Sequence, residues 1–461
     1  MSIIQGTSKA AGGGYEIDQS CRFNDGDTPE LSRTYTLSAP WTFSAWVKRG
    51  EITSENLILG ATAGEIHFNA NDTLEAETTS STALFRDPSA WYHIHVSDGG
   101  MYVNGVSHGA VTTTALTNTK LFDDFDGYAA EVHLQTGTSA YTNFGESNTD
   151  GVWIPKSATA GDTYLKFANS ADFGTNSGTG GAWTATNLAT TDQMLDTPTL
   201  NYCTWNVLAN YSGLGGLSGS PTFSDGSLKA VSGATYQTAT GTLSIKEGLF
   251  YWEVTVSALT TYVAVGIANP GYLGTGNYRR YYDYTGNKGS NGAAGTGYGA
   301  TYTAGDVIGI ALDMTTGDIE FFKNNSSQGV AFTDVTSALP DDGWTPFIVL
   351  NAATVVLDCG QSGFAYTPPT GFNALNTANL ATPSITDGSA HFQPTLYTGT
   401  GSSLAVTQSG NSTFQPDLVW IKGRSGATEH VLTDTVRGVT KELSSNDTGA
   451  EETVAQGLTT F

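Results

Sequence analysis

The feature that most constrains this chain is a hydrophobic period of two. Runs such as Trp41-Thr-Phe-Ser-Ala-Trp-Val47, Trp91-Tyr-His-Ile-His-Val96 and Phe250-Tyr-Trp-Glu-Val-Thr-Val256 send alternate side chains to opposite faces of an extended backbone. No run of about 12 residues carries apolar groups at the i, i+3, i+4, i+7 spacing of an amphipathic helix. Turn signals separate the runs. Asn104-Gly105 is a type I′ hairpin pair, because both residues tolerate positive φ, and Thr316-Gly317-Asp318 divides Ile308–Asp313 from Ile319–Phe322. The chain is therefore expected to be all-β, built as tandem antiparallel β-sandwiches.

Composition narrows the class. The 20 Phe, 21 Tyr and 9 Trp are too many for a disordered chain. The 56 glycines follow no three-residue period, which excludes collagen. No apolar stretch reaches the ~18 residues that a membrane-spanning helix needs. With 19 Lys plus Arg against 43 Asp plus Glu, the net charge is −24. A polyanion repels nucleic acid and offers it no counterions to release, so no nucleic-acid partner is expected. Cys21, Cys203 and Cys359 are too few and too widely spaced for a metal motif or a disulfide framework, and they read as small buried hydrophobes. The N-terminus lacks a charged segment followed by an apolar run, so no secretory signal is expected and synthesis is assigned to the cytoplasm.

The chain divides by pattern into five parts. Residues 1–14 are a Gly-rich flexible arm and residues 15–156 a first β module. Residues 157–200, with Asn176-Ser-Gly-Thr-Gly-Gly181, form a structured connector. Residues 201–370 are a second β module, ended by Pro368-Pro369. Residues 371–461 are a third, whose clearest strands are at Leu396 and Leu418–Lys422; it is expected to continue past residue 461.

The first module resembles a LamG-like, concanavalin-type jelly roll. The resemblance rests on Ala45–Gly50, Trp91–Ile94, Tyr102–Gly105 and Phe125–Val132, in that order. It implies that Trp46 and Trp91 anchor the core from inward faces and that Gly127 allows a close approach before the last strand. The second module resembles a SPRY domain, through Tyr251–Val254, Val265–Ala268, Gly305–Asp313 and Ile319–Asn324. Asn325 stands where that family usually has Gly, and it too can adopt a left-handed backbone. Joined by Thr191–Pro198 and followed by Phe414–Lys422, the pair is similar to tail-fibre and other virion structural proteins of bacteriophages.

Candidate chemistry is sparse. His93 and His95 share one strand face, as a metal pair would, but no carboxylate or Cys stands at matching spacing, and a polar strand face is the ordinary reading. Asp123, Asp124 and Asp126 are the candidate metal ligands. LamG-like domains often hold calcium at their rim, although the D-x-D-x-D-G series is missing and a solvated turn is the simpler reading. Asn24-Asp25-Gly26-Asp27 has the same standing. Tyr278, Arg279, Arg280, Tyr281 and Tyr282 form a basic-aromatic cluster of the kind recognition surfaces enrich, and they are the candidate ligand-binding residues. No nucleophile elbow, Walker loop or H-E-x-x-H occurs.

The function implied is non-enzymatic and needs no cofactor, with calcium as the exception. The chain would be a virion protein on the tail or particle exterior, a tail fibre or another host-contacting appendage, binding a host-surface glycan or protein through rim loops. Its partners would be other virion proteins and its own copies, with a trimer the usual fibre state, and no membrane would be entered. The alternatives are a head-decoration or baseplate protein and a polysaccharide depolymerase; an extracellular bacterial adhesin is disfavoured by the missing signal.

Overall fold

The computed structural model describes residues 14–61, 64–209, 219–269, 279–290, 295–338, 342–408 and 412–461. The chain separates into two compact units. One comprises the chain up to Asn148 with Val152–Ser384, the other Thr149–Gly151 with Ile385–Phe461. The protein is all-β, and the helical turns among the described residues are short 3-10 pieces.

The first unit holds two sandwiches. In the first, Trp41–Arg49 lies between Trp91–Ser97 and Gly127–Thr136. These are the centre of a sheet ordered 106–109, 100–103, 91–97, 41–49, 127–136, 20–23, 193–194. The second sheet runs 184–186, 30–37, 116–121, 56–60, 65–68, 74–76, 79–80. Phe23, Phe43, Ile94 and Leu134 from one sheet meet Leu31, Leu59, Phe68 and Leu121 from the other. The segment between residues 157 and 200 supplies strands to both sheets. Thr163–Leu165 pairs with 132–134, Thr184–Thr186 with 30–32 and Gln193–Met194 with 20–21.

Parity corrects the expectation for two tryptophans. Trp41, Phe43, Ala45 and Val47 enter the inter-sheet core, so Trp46 must leave it. Register pairs Trp46 with His93 and Lys48 with Trp91, which carries Trp91 to the same outer face. Both are still buried. They join Ile17, Tyr128, Ala130 and Met194 in a small second core on the outside of the sheet.

The second sandwich is organised by two long strands, Leu249–Ala268 and Thr345–Asp358. They pair antiparallel from Glu253↔Asp358 to Ala268↔Thr345, with register shifts at Val256/Ala258 and Leu259/Tyr262. Val307–Asp313 and Asp318–Lys323 extend one end of this pair, and Arg279–Asp283 with Asn287–Ser290 the other. Trp205, Trp252 and Trp344 are fully buried in the core between the layers. The predicted Asn104-Gly105 hairpin occurs, and Asn324-Asn325 makes a second two-residue turn. Asn104 and Gly105 have φ of 49° and 77°, and Asn324 and Asn325 have φ of 46° and 67°, so asparagine serves where glycine was expected.

The two sandwiches meet at a polar junction. Lys48 Nζ, 1% exposed, donates to Asp196 Oδ2 at 2.7 Å, Asn201 Oδ1 at 2.7 Å and the Tyr202 carbonyl at 3.1 Å. Trp91 Nε1 donates to the other Asp196 oxygen at 2.9 Å. Tyr128 donates its hydroxyl proton to the Gly226 carbonyl at 2.9 Å, and the Gly226 amide donates to Asp126 Oδ1 at 3.2 Å.

The second unit carries one antiparallel meander of Leu418–Lys422, His430–Asp434, Lys441–Ser444 and Glu452–Thr453. Thr433 is the one buried residue among its described positions after Ile385, and Leu418, Trp420 and Val436 stand exposed.

Gly127 has φ of 146°, and a Cβ there would lie 2.1 Å from the Lys48 carbonyl oxygen. Gly127→Ala is therefore expected to cost about 2–4 kcal/mol, from strain and displacement of the central strand. Urea unfolding followed by tryptophan fluorescence reads this, and a change under about 0.5 kcal/mol would show that the strand yields freely.

Candidate functional site

The basic-aromatic strand is divided by the sheet rather than presented whole. Alternation along Arg279–Asp283 turns Arg280 and Tyr282 inward and Tyr281 outward. Arg280, 4% exposed, donates from Nε and Nη2 to the two oxygens of Asp334 at 3.0 and 2.7 Å. Its guanidinium sits 5.5 Å from the Phe332 ring centre and 5.9 Å from that of Trp344. That hydrogen-bonded ion pair holds the Asp334 carboxyl below the usual range. Tyr282 is fully buried against Tyr298, Tyr302 and Phe321, and burial pushes its hydroxyl up to about 12. Arg280 and Tyr282 are thus core residues, which corrects their assignment to a ligand surface. Tyr281 is half-buried against Phe347 and Val349 on the outer face. Nearby Tyr236, Tyr262 and Tyr284 form an edge-to-face series with ring separations of 5.4 and 5.7 Å. Arg279 pairs through its backbone with Ala268; its side chain, and all of Tyr278, lie outside the described residues.

The candidate calcium loop does not converge either. Asp123 Oδ2 accepts a bond from Lys120 Nζ at 2.9 Å. Asp124 occupies a left-handed turn position with φ of 59°. Asp126 is buried at the junction with the second sandwich. Burial, reinforced by Asp25, Glu51 and Asp225, raises its carboxyl well above the ordinary range. Among the described residues, no three His, Cys, Asp or Glu side chains gather as a metal would require. Asn24–Asp27 closes on itself, with Asn24 Nδ2 donating to Asp27 Oδ2 at 2.8 Å.

The most organised polar constellation lies on the outer face of the first sandwich, where His93 and His95 share the strand face expected of them and His133 joins them from a neighbouring strand. His93, His95 and His133 all point there and all are buried. The Trp153 indole donates to His93 Nδ1 at 3.0 Å, so Nε2 carries the proton and donates to Ser44 Oγ at 2.8 Å. A second proton on His93 would face the indole N–H, so the geometry itself holds this ring neutral. His95 Nε2 donates to the Ser139 carbonyl at 2.9 Å. His133 stacks on Tyr164 at 4.1 Å, and Tyr164 donates to Glu131 Oε2 at 2.6 Å. Burial depresses all three imidazoles, His95 to about 4 and His133 to about 3, and raises Glu131. Around them stand half-buried aromatics. Tyr102 and Tyr141 stack at 4.3 Å, and Trp153 lies 5.6 Å from Tyr141. The alternation of Trp91–Val96 and the Asn104-Gly105 turn place Tyr102 opposite His95. Nothing in the local sequence shows that residues 139–155 fold back over this face.

Comparison with known proteins fits the second sandwich. Residues 249–361 match the SPRY domain family model, and the chain contains a SPRY domain there. Residues 387–461 match a domain of unknown function, DUF7483. Similar curated proteins include the ATP-dependent RNA helicase Ddx1 of Drosophila melanogaster, 31% identical over 27% of this chain and 17% of the relative. Ran-binding protein 9 of Xenopus tropicalis is 33% identical over 26% of this chain and 23% of the relative. Protein ssh4 of Sclerotinia sclerotiorum is 31% identical over 40% and 35%. The chain thus spans 17% to 35% of the length of these relatives. The solved SPRY domain of human HERC1 is 20% identical, covering 28% of this chain and 86% of that one, with a TM-score of 0.23.

Two outcomes follow from this geometry. Arg280→Ala removes a buried cation with two hydrogen bonds and two ring contacts, and is expected to destabilise the SPRY sandwich by about 2–4 kcal/mol. Tyr281→Ala, on the outer face, should cost about 1 kcal/mol or less. Equal losses in chemical denaturation would contradict the inward and outward assignment. Acid should also unfold the first sandwich through its histidines. Their folded-state values lie below the unfolded value near 6.5, so the unfolded chain binds more protons as pH falls. Stability is lost from about pH 6.5 downward, toward 4 for His95 and 3 for His133. The raised Glu131 acts in the opposite sense, so the readout is a difference. His133→Phe should gain on the wild type by about 1 kcal/mol per pH unit between pH 6 and 4. Parallel stability curves would show that His133 does not titrate on unfolding.

Proposed function

We propose that this chain is a non-enzymatic structural protein of a bacteriophage particle, in a tail fibre or another host-contacting appendage, and that it binds a host-surface glycan or protein. The observation that carries this reading is two β-sandwiches locked side by side, each with half-buried aromatic side chains on an outer sheet face. On the first sandwich these are Tyr102, Tyr141 and Trp153; on the second, Tyr262 and Tyr281. Aromatic faces stack on sugar rings and anchor protein contacts at small entropic cost. The ordered LamG-like motifs of the first module, the SPRY domain beside it and the fibre-like Phe414–Lys422 phrase support the same assignment. Weak sites of this kind gain strength by repetition on an oligomer, a trimer in the usual fibre, without any new contact. The buried carboxylates Asp126 and Glu131 are each enclosed by the fold, which suits binding better than catalysis.

The test is binding of the purified chain to cells of the particle's bacterial host and to their extracted surface polysaccharide. Saturable binding, weakened about tenfold by Tyr102→Ala or Tyr141→Ala with the fold intact, is the expected result. Binding to purified capsid or baseplate proteins, with none to cells, would move the chain to the head or baseplate. Release of new reducing ends from the polysaccharide would make it a depolymerase.

A further inference from the structure

Residues 139–148 and 152–156 lie as a strap over the outer face of the first sandwich, and histidines fasten it. The Trp153 indole donates to His93 Nδ1 at 3.0 Å and stacks on that ring at 5.9 Å. Two glycines make the slot that receives it, since a Cβ at Gly105 or Gly145 would lie 2.6 or 2.5 Å from the indole. His95 Nε2 donates to the Ser139 carbonyl at 2.9 Å, and its ring meets Phe144 at 5.7 Å and Tyr141 at 6.3 Å. His133 meets Phe144 at 5.1 Å. Further anchors are the Ser139 amide, donating to Thr42 Oγ1 at 2.9 Å, and the stack of Tyr141 on Tyr102 at 4.3 Å. The two arms of the strap pair as Gly145↔Pro155, Glu146↔Ile154 and Ser147↔Trp153. A two-stranded ribbon of this size has little stability of its own away from the sheet beneath it.

His93 and His95 are fastened in a way that a second proton breaks. Nδ1 of His93 faces the indole N–H, so a proton there sets donor against donor. Nδ1 of His95 is buried with no hydrogen-bond partner among the described residues. We propose that the strap is an acid-released clasp: it is closed while His93 and His95 are neutral, and their protonation frees it while the sandwich beneath stays folded. The inference stands apart from the phage reading. In the closed state burial lowers both rings below the unfolded value near 6.5, His95 to about 4. Opening restores them to water, so the open state binds more protons below pH 6.5. Each ring then raises the open population about tenfold per pH unit, and the two together about a hundredfold, from pH 6.5 down toward 4. His133, lowered to about 3, acts in the same direction, but it touches the strap through its ring alone. On the strap, Lys156 pairs with Glu146 at 3.2 Å and shares a cleft with Glu131 and His133. On the sheet side, Glu131 accepts from Tyr164 at 2.6 Å, with Tyr15 bonded to that hydroxyl and Lys166 over the Tyr164 ring. Burial raises Glu131, which opposes opening, but its bond to Tyr164 is made without the strap.

The experiment is hydrogen–deuterium exchange of the full chain from pH 7 to 4.5, read by mass spectrometry and corrected for the intrinsic pH dependence of amide exchange. Exchange then follows the open population of each segment. Peptides from residues 139–156 should lose protection by tenfold to a hundredfold per pH unit between pH 6.5 and 5. Peptides from strands 41–49 and 127–136 should keep theirs, and return to pH 7 should restore the strap. Trp153→Phe removes the N–H that bars the second proton from His93, and should make the fall about tenfold per unit shallower. His95→Gln keeps a donor toward the Ser139 carbonyl and does not titrate, and should do the same. Should a variant fail to fold, the wild-type profile decides alone. Strap and central strands losing protection together, a strap indifferent to pH, or unchanged slopes in both variants would overturn the proposal.

Discussion

The Lys48–Asp196 pair is the constraint on which the arrangement of the first unit depends. Neither side chain reaches solvent, and each is saturated. The ammonium meets Asp196, Asn201 and the Tyr202 carbonyl, while the carboxylate meets Lys48 and Trp91. A pair this deep is not a strong source of stability against an apolar substitute, because both charges lose their hydration. Its value is directional. Removing one partner strands the other in low dielectric at a cost of about 3–5 kcal/mol, so the chain from Asp196 to Tyr202 has one acceptable path across the outer face of the first sandwich. That path delivers Cys203 and Trp205 to the second core and sets where the SPRY strands begin.

Much of the fold was legible because alternation is a local signal. The strands at Trp41, Trp91, Phe250 and Val307, the Asn104-Gly105 turn and the Asn324-Asn325 substitution could all be read directly. Parity was equally available. The LamG-like resemblance implies inward faces for Trp46 and Trp91, whereas alternation with Phe43 and Val47 places Trp46 outward, and register with Lys48 takes Trp91 there too. A second covering layer, from the N-terminal segment and residues 139–202, buries that outer face, and no local pattern announces such a layer.

The site residues were less legible for the same reason. The run from Arg279 to Tyr282 looks like a recognition surface by composition, but adjacent residues of one strand cannot share a face, and a partner at Asp334 draws Arg280 inward. Asp123, Asp124 and Asp126 are close in sequence and diverge in space. The histidine face needed three separate segments, and the tautomer of His93 is set by one indole hydrogen bond from Trp153, a contact between positions 60 residues apart.

The pairing of Leu249–Ala268 with Thr345–Asp358 has a consequence for how the molecule is made. During synthesis the first of these strands emerges long before its partner, and it exposes an unpaired edge and a row of aromatic side chains while the intervening chain is built. The first sandwich likewise waits for Gln193–Met194 before its outer sheet is complete. Contacts of such long sequence separation close slowly, because the entropy of the loop is lost before the pairing rewards it. The interval is one of exposure to neighbouring copies, when strand edges meet most readily. Assembly of this chain is therefore a matter of timing as much as of affinity, and the thin scatter of charge along its strands helps to keep nascent copies apart.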